Sequence, residues 1–193
     1  RTIENKSFGI PIIFAIIFIS FSAIFVKWSD APATIISMYR MLLASILMLP
    51  FVWMRRSEFK KIVKGDWGFL FFSGFFLAMH FALWFGSLKL TTVASSTIIL
   101  TLQPVVALVG GFLLYKERTS KSSLVLIGIA IIGAVMIGWG DIGLSQEAII
   151  GDILSFLSVI AVVSYLLIGQ RIVKKVSHWV YSFCVFSFAT IVL

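Results

Sequence analysis

Apolar runs of about twenty residues, each closed by a short polar or charged segment, follow one another along this chain. A helix needs roughly 20 apolar residues to cross a hydrocarbon core about 30 Å thick. The pattern therefore predicts seven spans, at about 8–27, 32–54, 67–87, 92–115, 122–140, 149–169 and 178–193. In hydrocarbon every backbone donor and acceptor must be satisfied within the chain, and continuous apolar runs of this length do so as helices. The predicted fold class is an all-α polytopic membrane protein, a helix bundle. Residues 8–27 are too long for a signal-peptide core and have no small-residue cleavage site before Lys27, so they read as a retained span.

At about 100° per residue, the polar positions inside the spans segregate onto faces. Gly74, Ala78, Ala82 and Gly86 form a small-residue stripe on the third span, and Ala130, Ala134 and Gly138 form another on the fifth. Both read as packing surfaces that let helices approach closely. The other face of the third span carries Ser73, His80, Trp84 and Ser87. Thr92, Ser96, Gln103 and Gly110 share a face of the fourth span, and Gly151, Ser155, Ser158, Tyr165 and Gly169 a face of the sixth. Three such faces fit a bundle around a wet cavity. The competing reading is that the hydroxyls bond back to their own helices.

Composition agrees with the pattern: 60% of residues are hydrophobic and 12% charged, outside the globular range. The net charge of +8 follows topology. With the N-terminus in the cytoplasm, 13 of the 16 basic residues fall on inner segments: Arg1 and Lys6; Arg55, Arg56, Lys60, Lys61 and Lys64; Lys116, Arg118 and Lys121; Arg171, Lys174 and Lys175. Lys27 and Lys89 fall outside, beside Asp30, Asp141, Glu147 and Asp152. This is the positive-inside bias, and it leaves nucleic acid without a role. Trp28 and Trp139 sit at the expected outer boundary, Trp53 and Trp67 at the inner one.

Candidate chemistry is sparse. The single cysteine, Cys184, excludes an internal disulfide and a cysteine-based metal site. There is no phosphate-cradling loop for ATP. His178, at a span's start, lies too far in depth from His80 for a bis-histidine haem. No cofactor or metal is expected. Arg40 lies inside the second span, where a guanidinium costs a few kcal/mol. It either holds an anionic substrate through its planar fork or serves as a structural lock. His80 can bond substrate, relay a proton or simply pack. No Asp or Glu lies deep in any span. Pro104, after Gln103, removes a backbone hydrogen bond and marks a hinge. Lys27 reads as a boundary charge snorkelling outward. The candidate substrate-binding residues are Arg40, His80, Trp84, Ser96, Gln103 and Tyr165.

The stretch from His80 to Arg118 resembles the first repeat of the EamA family, in the drug/metabolite transporter superfamily. Ala82-Leu83, Ala94-Ser95, Gln103-Pro104 and Glu117-Arg118 carry the likeness, followed by the glycines of LIGIAIIGAVMIGW. Arg40 in YRMLLA and Lys27 fit the family's second and first spans. The resemblance implies ten spans in two inverted five-helix repeats. Residues 1–140 would hold the first repeat, and 149–193 the start of the second, echoed weakly by Ser22 and Ser164. A chain opening on Arg1 and closing inside an apolar run at Leu193 is then expected to be cut at about seven spans, its midplane site half-built. The implied function is secondary-active transport of small polar metabolites, with export of amino acids or related compounds the favoured form. Alternating access around a midplane cavity in the plasma membrane would carry it. A proton is the candidate coupling ion and a homodimer the candidate assembly. An intramembrane enzyme would need paired acids, a Ser–His pair or a metal cluster in the spans. The alternative is a non-transporting scaffold or receptor subunit.

Overall fold

The computed structural model describes residues 9–116, 120–141 and 145–193. Among these residues, eight α-helices account for the seven expected spans: α1 (Gly9–Trp28), α2 (Ala33–Met54), α3 (Lys64–Leu90), α4 (Val93–Leu100), α5 (Gln103–Tyr115), α6 (Lys121–Asp141), α7 (Gln146–Gly169) and α8 (His178–Val192). A 3₁₀ turn over Arg56–Lys61 joins α2 to α3. Ala33–Met54, Lys64–Leu90, Val93–Leu114 and Gln146–Gly169 are long and apolar enough to cross a membrane. Shorter apolar stretches cover Ile12–Trp28, Lys121–Gly133 and His178–Val192. The chain is an all-helical integral membrane protein.

Polar residues at the boundaries start several helices. The Thr92 and Ser145 hydroxyls accept the Ser95 and Ala148 N–H groups, capping α4 and α7. The Asp66 carboxylate accepts the Val63 N–H at the start of α3. The fourth span is two helices. Pro104 has no N–H to offer, and the chain tightens just before it: Thr101 N–H bonds Ile98 O and Leu102 N–H bonds Ile99 O, at 2.9 and 3.0 Å. The expected kink is thus a 3₁₀ turn at Thr101–Leu102, with Pro104 in the first turn of α5.

α3 is the central helix. It packs along α7 and α8 and touches α1, α2 and α4. Of the first small-residue stripe, Gly74 and Ala78 pack closely, whereas Ala82 and Gly86 are half-buried. Ala78 is fully buried against α8, and a Cβ at Gly74 would stand 2.6 Å from Phe188 Cβ. Ala130 packs near Ile99 and Val159. The side chains of Ala134, Gly138 and Trp139 lie outside the described residues, as do Arg1, Lys6, Glu117 and Arg118. Phe18, Leu47 and Leu113 are among the large apolar side chains left on the outer surface, where lipid would cover them. Trp28 and Trp53 are exposed at helix ends.

Each end of the bundle is tied by polar contacts that the sequence does not announce. At the end rich in basic residues, Lys175 Nζ lies 2.7 Å from both Asp66 carboxylate oxygens. Glu58 Oε2 accepts the Ser177 N–H at 2.6 Å. At the other end Lys27 Nζ donates to Thr91 O at 2.8 Å, Thr91 Oγ1 donates to Asp152 Oδ1 at 3.0 Å, and Lys89 Nζ donates to Ser29 O. Lys27 is therefore a tie between α1 and the end of α3 rather than a charge snorkelling outward.

The Ser177 N–H, then Lys61 and Arg55, hold the Glu58 carboxyl below its ordinary value of 4.5. A carboxylate stabilised by folding adds stability above that value and loses it as pH falls through the lower folded value. Glu58→Gln is expected to flatten the acid side of the thermal stability profile below about pH 5. An unchanged slope would show that the contact does not form in solution.

Candidate functional site

The polar faces of α3, α4 and α7 do converge, but they close on one another. Ser73, Ser87, Ser96, Ser155 and Ser158 are fully buried, and His80 and Trp84 nearly so. In this conformation the expected cavity is a packed seam, because hydroxyls on facing helices satisfy each other. Ser87, Ser96 and Ser155 form a triangle with oxygen separations of 2.7, 2.8 and 2.7 Å. Ser87 Oγ also donates to Trp84 O, and Ser158 Oγ to Ser155 O. Both readings of these hydroxyls hold at once: some bond back to their own helix, and others stitch three helices together.

About two turns deeper, His80 Nδ1 lies 2.9 Å from Ser158 O. A carbonyl only accepts, so Nδ1 carries the proton, and in the neutral ring Nε2 is left as an acceptor. The imidazole stacks on Trp84, centroids 5.9 Å apart and 17° from parallel. The indole Nε1–H of Trp84 is buried and has no hydrogen-bond partner among the described residues. A buried donor left unmatched costs about 1–3 kcal/mol, so a ligand that accepts from it would gain.

Arg40 reaches this cluster from α2. Its guanidinium carbon lies 4.8 Å from the Phe81 ring centroid and 5.7 Å from that of Phe85, and Nη1 donates to Ser22 Oγ at 2.8 Å. His80 packs against the same Phe81 ring at 4.9 Å. Neither a helix-end carbonyl nor a carboxylate binds Arg40 among the described residues. Five N–H donors meet one hydroxyl and two ring faces, which leaves the fork free to hold an anion.

Residues 8–139 match the EamA-like transporter family. The chain belongs to that family. It is a membrane transporter, in line with the expectation that it is no enzyme. No curated protein and no solved structure matches it.

Within this EamA-like chain, the structure gathers Arg40, His80 and Trp84, with Ser96 in the hydroxyl triangle beside them. The other expected site residues lie elsewhere. Tyr165 stacks on Tyr181 at 6.3 Å, and its carbonyl accepts from Ser73, towards the basic end. There it lines a cavity of ≈ 390 Å³ with Gly169, His178 and Tyr181. Gln103 is half-buried at the start of α5. Pro104 lines a cavity of ≈ 340 Å³ facing α6, and Leu102 lines one of ≈ 590 Å³ between α5, α6 and α7. Phe81 and Phe85 belong to the site and were not anticipated, since nothing marks a phenylalanine that holds a cation from one that faces lipid.

Proposed function

We propose that this transporter is a secondary-active exporter of amino acids or related small zwitterions, binding them at Arg40, His80 and Trp84. The observation that carries this reading is the buried, unpartnered Trp84 Nε1–H beside the acceptor His80 Nε2 and the uncompensated Arg40. An anionic group satisfies the cation and the indole, and an ammonium or amide donor satisfies Nε2. Ser96 serves as a neighbouring polar contact. Gln103 and Tyr165 join when the seam opens in alternating access.

Pro104 is the hinge in this scheme, supported by the 3₁₀ turn before it and the apolar space on both sides. Pro104→Ala should slow turnover and leave apparent affinity unchanged, and equal loss of both would remove the hinge role. The basic segments favour a cytoplasmic N-terminus, and the plasma membrane is the setting of this scheme. Residues 8–140 form the first of two inverted repeats in this scheme, and residues from 149 open the second.

Counterflow of labelled amino acids by the complete protein in liposomes tests the reading, with and without a pH gradient. Saturable, stereoselective exchange is expected, faster with the gradient if a proton is coupled. A folded protein that exchanges no zwitterion would overturn the substrate reading.

A further inference from the structure

A separate cavity of ≈ 450 Å³ opens at the basic end, where α3, α5 and α7 come together. It is layered. Phe69, from the second turn of α3, and Leu114 and Leu167, from the last turns of α5 and α7, make an apolar wall, and Gln170, Arg171 and Lys174 make the mouth. Helix ends are where hydrocarbon gives way to headgroups, so wall and mouth lie at the depths of acyl chain and phosphate.

The three basic residues that follow α7 are not equivalent. Lys175 is engaged by Asp66 at 2.7 Å. Arg171 and Lys174 are exposed, and no ion pair neutralises either among the described residues. Arg171 is held in place by packing, its guanidinium carbon 5.2 Å from the Phe69 ring centroid. A ring-stacked guanidinium keeps its planar fork free for a phosphodiester, and Lys174 adds a point charge beside it.

We propose that this cavity binds one anionic glycerophospholipid of the bilayer. The phosphodiester sits on Arg171 and Lys174, and an acyl chain lies against Leu114 and Leu167. Two cations outside any ion pair, with the nearby Asp66 carboxylate engaged by Lys175, select against a zwitterionic headgroup, which would bring its own cation to the same mouth. The site is independent of the substrate cluster, so it stands or falls apart from the transport reading.

Native mass spectrometry of the complete protein, extracted from vesicles of equal phosphatidylglycerol and phosphatidylcholine, tests it. Juxtamembrane cations each favour anionic lipid by about fivefold, so two should give roughly 30-fold preferential retention of phosphatidylglycerol. The double variant Arg171→Gln/Lys174→Gln should bring retention near parity. Lys60→Gln/Lys61→Gln, which removes equal charge from the exposed 3₁₀ turn, should leave it unchanged. Inorganic phosphate and glycerol phosphate should fail to displace the lipid, because neither reaches the apolar wall. Parity in the unaltered protein, equal loss in both double variants, or full displacement by phosphate would each overturn the proposal.

Discussion

Arg40→Ala is expected to weaken apparent affinity for a carboxylate-bearing substrate by roughly 10- to 150-fold, the equivalent of one lost hydrogen-bonded charge contact of about 1.5–3 kcal/mol. A structural part must be separated from that loss, since Arg40 also links α2 to Ser22 on α1 and to Phe81 and Phe85 on α3. Those contacts are each worth about 0.5–2 kcal/mol, so the variant should melt lower while remaining folded. The two parts separate by ligand. If the guanidinium binds the carboxylate, an amine analogue lacking that group binds wild type and Arg40→Ala alike, and Arg40→Lys recovers part of the difference as a point charge without the fork. If Arg40 only braces α1 and α3, all ligands weaken together. Equal loss for the acid and its amine analogue, measured by thermal shift and by counterflow, would remove Arg40 from the binding site.

The helices were legible because the bilayer imposes one length on every apolar run. The faces of α3 and α7 were legible because helical phase is conserved along an unbroken helix. Gln103 shows where that logic fails. Grouping it with Ser96 assumes a continuous fourth span, but the turn at Thr101–Leu102 advances by about 120° per residue instead of 100° and resets the phase. Tyr165 fails differently. It shares an arc with Ser158 but lies seven residues, about 10 Å, further along the axis. A helical wheel records angle and discards depth. Nor could a wheel say that the faces of α3, α4 and α7 would meet each other, because helix pairing depends on contacts distant in sequence. The Asp66–Lys175 tie spans 109 positions, and no local pattern marks either partner. Arg40 was visible from its cost in hydrocarbon alone, whereas the rings that receive it were not.

Gly74→Ala is expected to destabilise the protein by about 1–3 kcal/mol, the range for forcing an extra methyl into a packed interface. The new Cβ would stand 2.6 Å from Phe188 Cβ and 2.9 Å from Val185 O. Neither neighbour is the free end of a flexible side chain, so α8 must move away from α3 as a body. That movement has a built-in reporter. Cys184 is the single cysteine, buried on α8 in the same cluster as Ala78, Val185 and Ala189. Displacing α8 should raise its rate of maleimide labelling in detergent well above the wild-type rate. Gly68 lies on the same helix with nothing among the described residues within 4 Å of its ideal Cβ. Gly68→Ala should therefore be neutral or stabilise by up to about 1 kcal/mol, as helix interiors favour alanine over glycine. Both glycines weaken the helix equally in isolation, so the difference between the two variants isolates the helix–helix contact. Equal stability and equal Cys184 protection in both would mean that α8 does not pack on Gly74. The stripe would then be a feature of composition alone, with no part in holding α3 at the centre of the bundle.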